Sequence, residues 1–157
     1  MIYDLTSVPT IKRFCKDPAF QRMIIGPFGS GKSSGCVQLI GMIAGAQRPN
    51  EHGIRKTRHA VVRNTYPQLR DTTINTFLDW FPDGIWGKYR SNDHTFMMKW
   101  AMSDGTMVEC EIMFRALDRP EHVSNLLSLE LTTAWCNEAR DIERVIWDAL
   151  QGRVGRY

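Results

Sequence analysis

The chain has 157 residues, enough for one domain with a sizeable core, and its 43% apolar and 24% charged content is that of an ordinary globular protein. A net charge of +3 permits an anionic partner without demanding one, and the longest apolar runs are too short to cross a bilayer, so no membrane role and a cytosolic location are expected. Cys15, Cys36, Cys110 and Cys136 show no C-x-x-C spacing and the four histidines are scattered singly. Buried reduced thiols are therefore expected, rather than a disulfide framework or a histidine-built metal site.

Residues 1 to 21 carry Pro9 and Pro18 and a helical hint around Ile11-Lys12-Arg13-Phe14. A short apolar run, Met23-Ile24-Ile25, then reads as a strand leading into Gly26-Pro27-Phe28-Gly29-Ser30-Gly31-Lys32-Ser33. Gly, four residues, Gly, Lys and Ser is the P-loop pattern. Glycines let the backbone curl so that successive N–H groups face one point, and a following helix adds its own free donors and dipole there. Lys32 is expected to reach the β/γ-phosphates of a nucleotide and the Ser33 hydroxyl to ligate Mg²⁺, with Ser34 completing the binding stretch. Just ahead of the loop, Phe20 or Gln21 is a candidate to pack on the base, while plain core packing by Phe14 and Phe20 is the simpler expectation.

The stretch after the loop, through about Ala46, is apolar nearly all round and reads as a helix buried against a sheet. Arg48 to Gly53 is a loop, and His59-Ala60-Val61-Val62-Arg63 is a short buried strand. Tyr66-Pro67 opens a helix whose apolar face is Leu69, Ile74, Phe77, Leu78 and Phe81, stopped by Pro82-Asp83-Gly84. The period then changes to two. Phe96, Met98, Trp100 and Met102 alternate with Met97, Lys99 and Ala101, and beyond Ser103-Asp104-Gly105 so do Val108, Cys110, Ile112 and Phe114 with Glu109, Glu111 and Arg115. This is a β-hairpin, expected to be half exposed and to decorate an otherwise parallel sheet. Residues 118 to 128 read as a short helix or loop, Leu131 to Cys136 as a strand ending in Asn137-Glu138, and about Arg140 to Leu150 as a last helix burying Ile142, Val145, Ile146 and Leu150.

Hydrolysis at a P-loop also needs a group on the Mg²⁺ shell, a positioner for water and a cation for developing charge. The strand-end pair supplies the first two. Asn137 can hold a magnesium-bound water through its carbonyl oxygen, without charge, and Glu138 is the candidate to polarise the attacking water, with Asp141 next. Alternatively, Glu138 merely opens the last helix. Among the cations, Arg63 ends a strand at the edge where a nucleotide lies in such sheets and is preferred to Arg115, Arg119, Arg153 and Arg156.

Taken in order, GPFGSGKS, VVRNTYPQLRDTT, the hairpin, RPEHVSNLLSLELTTAWCNEARDI and WDALQGRVGRY resemble the N-terminal ATPase portion of the large terminase subunit of tailed bacteriophages, from about Phe20 to Tyr157. The resemblance implies an α/β P-loop NTPase of the ASCE/RecA-like kind, a mostly parallel sheet flanked by helices with an antiparallel hairpin insertion. It makes Gly26 to Ser33 the Walker A motif, and Thr133 to Asn137 with Glu138 the Walker B strand and catalytic glutamate, with Asn137 where the family commonly has Asp. It further implies ATP and Mg²⁺ as the bound groups and double-stranded viral DNA as the translocated partner in the host cytoplasm. Portal protein, small terminase subunit and a homo-oligomeric ring are implied for the full-length protein. The coupling strand and nuclease domain of that family are not expected within these residues, so a monomer with weak ATPase activity is expected. A nucleotide-binding module without productive turnover, or an unrelated P-loop ATPase or kinase, are the alternatives.

Overall fold

A computed structural model describes residues 5–117 and 120–157. The elements run α1 (Pro9–Lys16), α2 (Lys32–Ala46), β1 (Ile54–Arg63), α3 (Tyr66–Gln68), a π-helical turn (Leu69–Ile74), α4 (Asn75–Trp80), β2 (Gly87–Arg90), β3 (Thr95–Ala101), β4 (Met107–Ala116), α5 (Pro120–Leu127), β5 (Thr133–Cys136), a 3₁₀ turn (Ala139–Asp141) and α6 (Arg144–Gln151). The five strands form one sheet in the order β2-β3-β4-β1-β5. Its core is parallel, β1 pairing with β4 on one side and β5 on the other, and β2 and β3 extend it antiparallel beyond β4.

Side chains of alternate strand residues feed two cores. On one face Val61, Phe96, Met98, Val108, Cys110, Ile112 and Phe114 meet Val37, Ile40 and Ala44 of α2 and Leu69, Ile74, Phe77 and Phe81. Phe77 stands at the centre, its ring edge-on to both Phe96 and Phe114. On the other face Ala60, Val62 and Met113 meet Leu126, Ile146 and Leu150 from α5 and α6. The α/β expectation is met, as three layers.

Three expectations need correction. The hairpin is not a half-exposed decoration: β4 is a central strand, paired along its length with β1, with Val108, Cys110 and Ile112 fully buried. Its alternation is real, but the polar set finds partners within the sheet, Glu109 with Lys99 and Glu111 with Arg58. Met23-Ile24-Ile25 forms no strand. It pairs with nothing among the described residues, Met23 and Ile25 are exposed, and the outer edge of β5, the last strand on that side, is left without a partner strand. The helix from Tyr66 is interrupted by a π turn. Its apolar residues Leu69 and Ile74 are five apart, a spacing that an i→i+5 turn brings to one face and an α-helix does not. Smaller differences are an earlier start of β1, a last helix that begins at Arg144 after a 3₁₀ turn and leaves Val145 exposed rather than buried, and Phe20, which is exposed rather than packed in a core.

Cys15, Cys36, Cys110 and Cys136 are free thiols, and burial pushes those of Cys36, Cys110 and Cys136 up to about 12. His59, on β1, is fully buried; its Nδ1 is 2.6 Å from Thr133 Oγ1 and its Nε2 has no partner. Burial lowers its pKa to about 4. The folded protein therefore keeps His59 neutral while the unfolded chain takes up a proton near the ordinary histidine value, so stability falls as the pH drops through that interval. Urea unfolding from about pH 8 to about pH 5 is expected to show a loss of about 2 kcal/mol from this residue. The downward-shifted His94 adds in the same direction, so the His59→Gln variant is the comparison: a profile no flatter than that of the wild type excludes His59 as the cause.

Candidate functional site

The loop Gly26 to Gly31 is exposed at the head of α2. Gly29 (φ 74°) and Gly31 (φ 78°) take left-handed conformations that only glycine adopts freely, which is what curls the chain. The Lys32 side chain folds back into the curl, its Nζ donating to the carbonyls of Gly26 at 2.7 Å and Pro27 at 2.6 Å, with Ser30 Oγ at 3.3 Å. A Cβ at position 26 would meet Ser30 Oγ at 3.0 Å, a tight contact that the serine side chain would have to turn to relieve. Gly31 caps α2 with no side-chain hydrogen bond, and no acidic residue lies in the first turn. The free N–H groups of a 15-residue helix therefore open onto the loop without competing negative charge.

Arg55, at the start of β1, donates to the carbonyls of Gly45 at 3.0 Å and Gln47 at 2.7 Å. This ties the C-terminal end of α2 to the beginning of β1, so α2 runs antiparallel to β1 and its loop end lies toward the strand's C-terminal end. Arg63 closes β1 there, and Asn137 follows β5 beside it, its N–H donating to Val62 O at 2.9 Å. In open parallel sheets that edge is where ligands lie.

Asn137, Arg63 and α2 share a face as well as an edge. Asn137 Nδ2 donates to Thr73 Oγ1 at 2.8 Å and Arg63 Nη1 donates to Thr72 Oγ1, both threonines being in the π turn on the α2 side of the sheet. Arg63 Nε is buried with no partner. Glu138 stands next in the chain with φ 56° and ψ 55°, a left-handed backbone unusual for a glutamate. Its carboxylate is 3.8 Å from Arg140 Nε. Strain of that kind collects where side-chain placement is under functional constraint.

The other sequence candidates scatter. Arg115 is committed to the carbonyls of Asp93 and Phe114, and Arg119 lies outside the described residues. Phe20 and Gln21 line, with Arg22, Thr133, Ala134, Cys136, Trp147 and Leu150, a cleft against the free edge of β5, and Gln21 Nε2 donates to Gln151 Oε1 across it. Thr72 and Thr73 were not among the sequence candidates; the signal that pointed to them was the five-residue gap from Leu69 to Ile74.

The residues present fit a magnesium nucleotide. The curled loop offers N–H donors and an ammonium to phosphate, and the half-buried Ser33 hydroxyl, the Asn137 amide and Glu138 are the oxygen donors that a hard cation takes. Among the described residues no three His, Cys, Asp or Glu side chains form a metal-binding cluster.

No protein-family model matches the chain, and none of the curated proteins does. Among solved structures, it is similar to the large terminase from a thermophilic bacteriophage, with a TM-score of 0.68 at 12% identity. The match covers 99% of this chain and 37% of that one, so the chain spans little more than a third of that terminase's length. The chain has the fold of that part of a phage large terminase.

Proposed function

We propose that this chain binds Mg-ATP between the loop Gly26 to Ser34 and the strand-end pair Asn137-Glu138, and that it hydrolyses ATP as the motor module of a DNA-packaging terminase. What supports the reading is the direction of α2, which runs antiparallel to β1 and so turns the loop toward the strand ends that carry Arg63 and Asn137, on the face where both side chains lie. In this reading Lys32 holds the β/γ-phosphates, and Ser33 and Asn137 hold the metal's coordination shell. Glu138 accepts a proton from the attacking water, and Arg63 stabilises charge developing on phosphate. Magnesium, when bound, supplies Lewis acidity and neutralises phosphate charge. Double-stranded viral DNA is the moved partner, with a portal protein and a small subunit as neighbours in the packaging machine.

One observation favours slow turnover by residues 1–157 alone. The chain entering the loop, Met23 to Ile25, is not braced in the sheet, so the loop is held to the sheet through α2 on one side only. Misplacement of about 1 Å costs on the order of a hundredfold in rate. Calorimetric titration with Mg-ATP, followed by phosphate release with and without duplex DNA, is the test. Saturable magnesium-dependent binding with slow, weakly DNA-stimulated release is expected. Absence of binding would sink the reading, and brisk DNA-stimulated release would show that the segment's looseness does not limit the rate.

A further inference from the structure

We infer that Thr73 is the positioning residue for Asn137, setting which end of the Asn137 amide faces the metal side of the site. The inference rests on the reading of Asn137 given above. It starts from chemistry that a carboxylate would not need. An aspartate presents an oxygen whichever way it turns, whereas an asparagine offers oxygen on one side and NH₂ on the other, and an NH₂ aimed at a cation is repulsive. A neutral amide at this place needs something to hold it the right way round.

Thr73 supplies that hold. It is 1% exposed, and its Oγ1 accepts from Asn137 Nδ2 at 2.8 Å. Thr72 Oγ1 spends its own proton on Gln68 O, so across the 3.4 Å pair of hydroxyls Thr73 is the donor and its lone pairs are left for the amide. The NH₂ is thereby directed toward the helix layer, and Oδ1, which takes no hydrogen bond among the described residues, is the free end of the amide. The Asn137 backbone is fixed independently by its N–H bond to Val62 O at 2.9 Å, so the side-chain bond governs orientation rather than position.

The π turn is what makes Thr73 available. A polar side chain between Leu69 and Ile74, both buried in the core, would in a regular α-helix have to share their face. The widened turn keeps both apolar anchors inward and places Thr72 and Thr73 side by side at the sheet edge, 3.4 Å apart at their hydroxyls. Thr72 takes the neighbouring Arg63 while donating to Gln68 O at 2.7 Å, so the same turn aligns the residues closing β1 and β5. Single-turn π bulges inside helices gather at functional sites, in keeping with this.

The test compares Thr73→Val, which keeps the shape and removes the acceptor, with Thr73→Ser, which keeps it. ATP affinity is measured by calorimetry with Mg²⁺ and again with EDTA. Loss of an outer partner of a metal-site group costs ~10-fold or more in metal affinity. Thr73→Val is expected to lose about tenfold of the gain that Mg²⁺ confers while binding ATP in EDTA as the wild type does, and Thr73→Ser to restore it. In the Asn137→Ala background, Thr73→Val should have no further effect. Should Thr73→Val not fold, the nucleotide-free wild type decides: the Asn137 side-chain NH₂ is expected to exchange slowly with solvent by NMR, and exchange at the rate of a free amide overturns the inference. A wild type whose ATP affinity is indifferent to Mg²⁺ overturns the functional reading itself. A wild type that responds to Mg²⁺ together with a Thr73→Val variant that responds equally overturns only the role of Thr73.

Discussion

Replacing Glu138 by glutamine is expected to leave Mg-ATP affinity within about twofold and to slow phosphate release by ~10²–10⁴-fold, the usual worth of a positioned general base. An amide of the same shape keeps the contacts of the carboxylate but cannot take the proton of the attacking water. Replacement by glycine separates that chemistry from the backbone. Glu138 holds φ 56°, a conformation that costs a side-chain-bearing residue about 1 kcal/mol and glycine almost nothing. Glu138→Gly should therefore be as inactive as Glu138→Gln yet more stable than the wild type by about 1 kcal/mol in urea unfolding, allowing for the weak surface pair with Arg140 that it loses. A fully active glutamine variant in phosphate-release assays would move the search for the base to Asp141, whose N–H donates to Glu138 O at 3.0 Å.

The second large effect concerns binding. Lys32→Ala is expected to weaken Mg-ATP binding about a hundredfold while changing stability by less than about 1 kcal/mol. The asymmetry follows from its contacts. In the free protein the ammonium bonds only to carbonyls and a hydroxyl of the exposed loop, groups that water satisfies equally well when the lysine is gone. Against polyphosphate it is a charge-assisted donor already gathered into the curl, and nothing else in Gly26 to Gly31 is charged. Calorimetric titration checks the first half and urea unfolding the second. Equal affinity in variant and wild type would remove the loop from the nucleotide site.

Much of this organisation is legible in the sequence because local physics writes it there. The glycines and lysine of the loop and the continuous apolar character of α2 are short-range features. So are the period-two alternation around Asp104-Gly105 and the Asn137-Glu138 pair ending an apolar run, and each lies where it was expected. The five-residue step from Leu69 to Ile74 was equally visible and announces the π turn, since apolar residues in an α-helix recur at three and four.

What only the tertiary structure decided is who lies beside whom. Alternation along Val108 to Phe114 shows that two faces differ, but not that β4 sits at the centre with β1 on its other side, because pairing partners some 50 residues apart leave no periodic trace. The same limit applies to Met23-Ile24-Ile25, which has the composition of a strand. A strand exists only where N–H and C=O groups are exchanged with a neighbour, and this segment does not join the free edge of β5. It applies again to Thr73 and Asn137, 64 residues apart, whose hydrogen bond depends on a helix turn and a strand end meeting at one edge. Composition and spacing determined those elements whose signal lies among neighbours along the chain, such as α2 and β3–β4; which segments join the sheet, and which side chains meet at its edge, was decided by contacts across it.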